Sequence, residues 1–103
     1  MKVKWETTAK NGMRNVARYV NKKFGRQARK DFIQKVKDAE ELMTSQPNIG
    51  PIDPLYSNRP KTYHSIIING LSKMVYRIDG DTIYIVDFWD TRREPVNQAA
   101  QTK

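Results

Sequence analysis

The run YHSIIINGLSKMVYRIDGDTIYIVDFWDTRR, residues 63–93, reads as three β-strands in succession. The strand segments are Tyr63 to Ile68, Lys73 to Ile78 and Thr82 to Trp89, rich in β-branched and aromatic residues. Asn69-Gly70 separates the first two, and Asp79-Gly80-Asp81 the next two. Asn-Gly between such segments is the strongest short hairpin signal, because a tight primed turn needs positive φ at both central residues. The stretch is therefore an antiparallel meander, and it ends in the basic cluster Asp90-Thr91-Arg92-Arg93-Glu94-Pro95.

Upstream of the meander the pattern changes period. Apolar residues at Ala9, Met13, Val16, Ala17, Val20 and Phe24 recur every three or four positions, which makes one helical stripe. Gly25 interrupts it as a helix stop. A second stripe follows at Ala28, Phe32, Ile33, Val36, Ala39, Leu42 and Met43, up to Pro47. So short a connection predicts an antiparallel helix hairpin. Ahead of it, Lys2 to Glu6 alternates with Val3 and Trp5 on one side, which suits a short edge strand, and Thr7-Thr8 is placed to cap the first helix. Pro47 to Pro60 holds four of the five prolines and reads as an irregular loop. The fold class is α+β: an N-terminal strand, a helix hairpin, then a three-stranded antiparallel meander, with the helices packed on one sheet face. Residues 1–95 form one domain, and 96–103 a polar, flexible tail.

Strict alternation divides the strands into faces. Met74, Tyr76 and Ile78 oppose Lys73, Val75 and Arg77; Tyr84, Val86 and Phe88 oppose Ile83, Ile85, Asp87 and Trp89. With the helices over the apolar faces, the other sheet face is expected to be an open, concave surface carrying Lys73, Arg77, Asp87 and Trp89.

Composition removes several functions. The 103 residues contain no cysteine, which excludes disulfides, thiolate zinc sites and cysteine nucleophiles. The single His64 has no metal-ligand spacing around it, and neighbouring Ser65 points to the opposite face of a strand, so no metal site and no serine triad is expected. No Gly-rich phosphate loop is present. No apolar run reaches the roughly 20 residues of a membrane span, and Met1-Lys2-Val3-Lys4-Trp5 lacks the apolar core of a signal peptide, so a cytoplasmic protein is expected.

Charge is the positive signal. The formal net charge is +8, and residues 1–43 alone hold 12 Lys/Arg against 5 Asp/Glu. Lys10, Arg14, Arg18 and Lys22 recur every four residues as a basic stripe on the first helix, extended across the turn by Arg26, Arg29 and Lys30. Such a stripe fits contact with a phosphate backbone; a solvated helix face has the same composition. A second cationic set, Lys61, His64, Lys73, Arg77, Arg92 and Arg93, belongs to the meander. Gathered at one sheet end, it could stabilise a phosphodiester transition state without a metal, with Tyr63 and Trp89 stacking on bases. The same charges equally suit an ordinary solvated sheet face.

Strand, helix hairpin, proline-containing loop and meander, in a basic chain of this length, resemble the RelE/ParE superfamily of bacterial type II toxins. Three stretches carry the resemblance: Val3-Lys4-Trp5 before the first helix, residues 70–78 after the hairpin turn, and Arg92-Arg93-Glu94 after the last strand. It implies a toxin neutralised by a cognate antitoxin, with no cofactor. On the RelE side it implies ribosome-dependent, metal-independent cleavage of messenger RNA. Lys73 stands where those enzymes have an arginine early in the strand after the turn, and Arg93, beside Arg92, matches a second; both would stabilise phosphate charge. His64 is the one basic residue on the strand before the hairpin and would carry the proton. The Tyr or His that often follows the last strand in those enzymes has no counterpart here. On the ParE side the resemblance implies a non-enzymatic inhibitor of DNA gyrase, with the same cations and Trp89 as a protein contact surface. A third reading is an inactive homologue that binds its antitoxin and operator DNA as a complex.

Overall fold

A computed structural model describes residues 1–91. Arg92, Arg93 and the tail 96–103 lie outside the described residues. The elements are β1 (Lys2–Trp5), α1 (Thr7–Phe24), α2 (Arg26–Ser45), a 3₁₀ turn (Pro54–Tyr56), β2 (His64–Ile68), β3 (Ser72–Asp79) and β4 (Thr82–Asp90). The four strands form one sheet in the order β1-β4-β3-β2. The expected meander is present, and β1 joins it at the edge, parallel to β4, with Lys2 opposite Thr82 and Trp5 opposite Ile85.

The β2–β3 turn has Asn69 at φ 56° and Gly70 at φ 73°, the two positive angles that the Asn-Gly pair promises. Gly25 separates the two helices. The expected Thr cap is not made. Glu6 occupies the N-cap position of α1 without a side-chain cap bond, because its carboxylate is taken by Arg77 at 3.2 Å; Thr7 already lies in the first turn.

Both helices pack on one sheet face. Their core residues, among them Ala9, Ala17, Phe32, Val36 and Met43, meet Met74, Tyr76, Ile83, Ile85 and Phe88, all buried. Gly12 lets α1 approach the sheet closely: a Cβ there would fall 1.9 Å from the Phe88 carbonyl oxygen.

Strict alternation fails on β4. The register with β3 shifts between Val75 and Tyr76, so that Val75 faces Asp87 while Tyr76 faces Ile85. Val86 is the extra residue of a β-bulge, and it flips the parity of everything after it. Phe88 therefore joins Ile83 and Ile85 under the helices, instead of sharing a side with Tyr84 and Val86.

Nor is the far sheet face open. The loop after α2 folds across it, and Tyr56 and Tyr63 pack on Val75 and Val86 in a second small core. Asp87 and Trp89, expected at the surface, are 0% and 2% exposed. Tyr76 pins the start of this loop from the other side of the sheet. Its hydroxyl donates to the Pro47 carbonyl at 2.7 Å and accepts from the Gly50 amide at 3.0 Å. Burial pushes its pKa up from the ordinary value of 10.0, opposed by the Gly50 hydrogen bond. His64 stacks on the Tyr76 ring at 5.3 Å, and its Nδ1 lies 2.8 Å from the Gly50 oxygen.

Candidate functional surfaces

Among the described residues, the meander cations do not converge. His64 pairs with Tyr76 and shares the helix-covered side of the sheet, whereas Lys73 points to the far side, over the Trp89 ring at 5.2 Å. Lys73 and Arg77 share that side but stand four residues apart, roughly 13 Å along an extended strand. Of the expected cluster, the described members His64, Lys73 and Arg77 are thus spread over both ends and both faces of the sheet, and Arg92 and Arg93 lie outside the described residues.

Lys61, Lys73 and Arg77 each have a carboxylate of their own. Lys73 Nζ lies 3.0 Å from Asp53 Oδ2, with only 17% and 1% of the two side chains exposed. That oxygen has no directed hydrogen bond, so the contact is an ion pair in the strict sense. The other Asp53 oxygen accepts from the Leu55 amide at 3.0 Å and caps the 3₁₀ turn. Arg77 reaches Glu6 at 3.2 Å and stacks 4.6 Å above the Tyr84 ring. Lys61 pairs with Asp79 at 3.1 Å in solvent. Trp89 and Tyr63 are buried, so neither presents a ring to a base. The Trp89 indole nitrogen is enclosed without a hydrogen-bond partner.

Sequence reasoning missed the acid partners of Lys73 and Arg77. The Asp53-Pro54 pair marks a turn, but a loop aspartate opposite Lys73 is twenty positions away in the chain, and no local pattern reports such a contact. Glu6 and Arg77 are farther apart still.

The α1 stripe behaves differently. Lys10, Arg14, Arg18 and Lys22 are all exposed, and α1 carries five Lys/Arg and no Asp or Glu. The three ion pairs among the described residues belong to Lys61, Lys73 and Arg77, and none to an α1 cation. Arg14 and Arg18 form one wall of a depression of about 370 Å³ between the helices; Arg29 of α2 faces them across a floor of Met13, Ala17 and Ile33. It runs on into a second hollow of about 250 Å³, floored by Trp5 and Val36 and flanked by Lys10 and Lys37. Glu40, at that end, accepts a hydrogen bond from the Trp5 indole. The other stripe residue, Lys22, does not line the groove. Among the described residues no group of three metal-ligating side chains occurs, and no helix is long and apolar enough to cross a membrane.

No curated protein sequence matches the chain. A solved structure described as "Chromosomal ParDE TA system from P. aeruginosa" superposes with a TM-score of 0.69 at 16% identity, covering 87% of this chain and 95% of that one; at such identity the likeness is one of fold. The family model for the "ParE toxin of type II toxin-antitoxin system, parDE" matches residues 3–95, nearly the whole chain. By that match, the chain belongs to the ParE toxin family of type II toxin–antitoxin systems.

Proposed function

We propose that this protein is the growth-inhibiting partner of a toxin–antitoxin pair and acts as a non-enzymatic inhibitor of DNA gyrase. Family membership supports the toxin role and with it a cognate antitoxin as partner. The choice of gyrase over messenger RNA rests on one observation. Lys73, the residue in the position of a ribonuclease arginine, is held by the buried Asp53 and lies on the opposite sheet face from His64. A proton carrier and a phosphate-stabilising cation must meet within hydrogen-bond reach of one reacting group. These two are separated by the sheet itself. Protein inhibition asks only for a folded surface of the right shape, which the covered sheet and exposed helices supply. The proposed site of action is the cytoplasm.

Two assays run on one preparation test the reading. Purified protein is expected to inhibit supercoiling by gyrase, or to accumulate cleaved DNA complexes, while messenger RNA stays intact on translating ribosomes. Ribosome-dependent cleavage with unimpaired supercoiling overturns it in favour of the ribonuclease reading.

A further inference from the structure

The groove between α1 and α2 takes no part in the observation that carries the gyrase reading. We infer that it binds the sugar-phosphate backbone of nucleic acid, through Lys10, Arg14 and Arg18 on one wall and Arg29 and Lys37 on the other.

Three observations carry this. The first is the division of charge described above: the ion pairs of the described residues are made by Lys61, Lys73 and Arg77, and no cation of the groove walls makes one. Unneutralised like charges at four-residue spacing repel one another, so the stripe is destabilising until something anionic meets it.

The second is geometry that only the tertiary structure creates. Arg14 and Arg18 rise from α1, and Arg29 comes from the start of α2, so three guanidinium groups surround one depression. Guanidinium is the side chain suited to bidentate capture of phosphate oxygens. Successive α1 cations are spaced by about 6 Å of helix rise, comparable with the step between neighbouring phosphates on a strand. The apolar floor of Met13, Ala17 and Ile33 gives the sugar rings a surface between two charged walls.

The third separates nucleic acid from an acidic protein. Protein partners are steered and oriented by complementary charge, and the one carboxylate that lines the groove, Glu40, is engaged by the Trp5 indole, while Asp31 and Asp38 accept from Gln27 at 3.0 Å and Gln34 at 2.9 Å outside it. A backbone of repeating identical charges needs no such carboxylate.

DNA binding can be measured with the purified protein alone, so its failure leaves the gyrase reading standing, and the reverse holds too. The probe is a fluorescein-labelled DNA duplex titrated at several salt concentrations. Five phosphate contacts give a slope of log affinity against log salt of about −4.5. The variant R14A/R18A/R29A is expected to fold as the parent by circular dichroism, because all three side chains are exposed, and to reduce the slope to about −2. Lys61→Ala, outside the groove, is the control expected to bind like the parent. Parent-like DNA affinity in the triple variant overturns the proposal. So does a poly-glutamate peptide that binds the groove in preference to the duplex, which would assign the surface to an acidic protein.

Discussion

Lys73 and Asp53 meet at 3.0 Å beneath the loop that crosses the sheet, and Asp53 is 1% exposed. A carboxylate at that depth is tolerable only with its cation present. Lys73→Met is therefore expected to destabilise the fold by about 3 kcal/mol, the order found when one partner of a buried pair is removed. The double variant D53N/K73M should recover most of that loss, giving a coupling of at least ~1 kcal/mol in a double-mutant cycle by urea denaturation. Additive losses in the cycle would mean that the ion pair is not what holds Lys73 in place.

His64 makes structural contacts: it stacks on Tyr76 and reaches the Gly50 carbonyl. Growth inhibition by His64→Ala is expected to match that of the parent once the two are compared at equal amounts of folded protein. Loss of toxicity in a stably folded H64A protein would restore the proton-carrier role and weaken the gyrase reading.

Tyr76→Phe removes a donor to Pro47 and an acceptor for Gly50 in one step. With the Gly50 amide buried and unmatched, the expected loss is about 1–3 kcal/mol. The parent should also be alkali-sensitive through this group. The folded pKa of Tyr76 is raised above 10.0, so the folded state holds its proton more tightly than the unfolded chain. The resulting stability is complete below the unfolded pKa, near 10, and drains away as pH rises through the folded value. Denaturation midpoints of parent and Y76F measured from neutral pH upward should converge above that point.

Gly12→Ala sets local propensity against packing. Alanine in a helix interior is favoured over glycine by about 1 kcal/mol. The added Cβ would sit 1.9 Å from the backbone oxygen of Phe88, which has no flexible end to swing away. Overpacking of this kind typically costs about 1–3 kcal/mol or more, so G12A is expected to be less stable than the parent by thermal melting. A stabilised G12A protein would show that α1 can lift off β4 freely.

Much of this molecule is written in short-range pattern. The Asn69-Gly70 turn, the Gly25 stop, the two helical stripes and the order of the three meander strands follow from periodicity and turn chemistry, because backbone geometry is governed by residues within a few positions of one another. The stripe Lys10-Arg14-Arg18 was visible for the same reason. The sequence alone therefore determines the α+β architecture and the placing of positive charge on the first helix.

Tertiary structure decided what those charges can do. The bulge at Val86 turns Phe88 inward, and the proline-containing loop closes over Val75, Val86 and Asp87. Asp53 and Glu6 arrive from distant segments to engage Lys73 and Arg77. Arg29 swings in from a second helix to complete a groove with Arg14 and Arg18. Each of these depends on contacts between residues far apart in the chain. Alternation and helical period carry no information about such contacts, since they describe which way a side chain points and not what it meets.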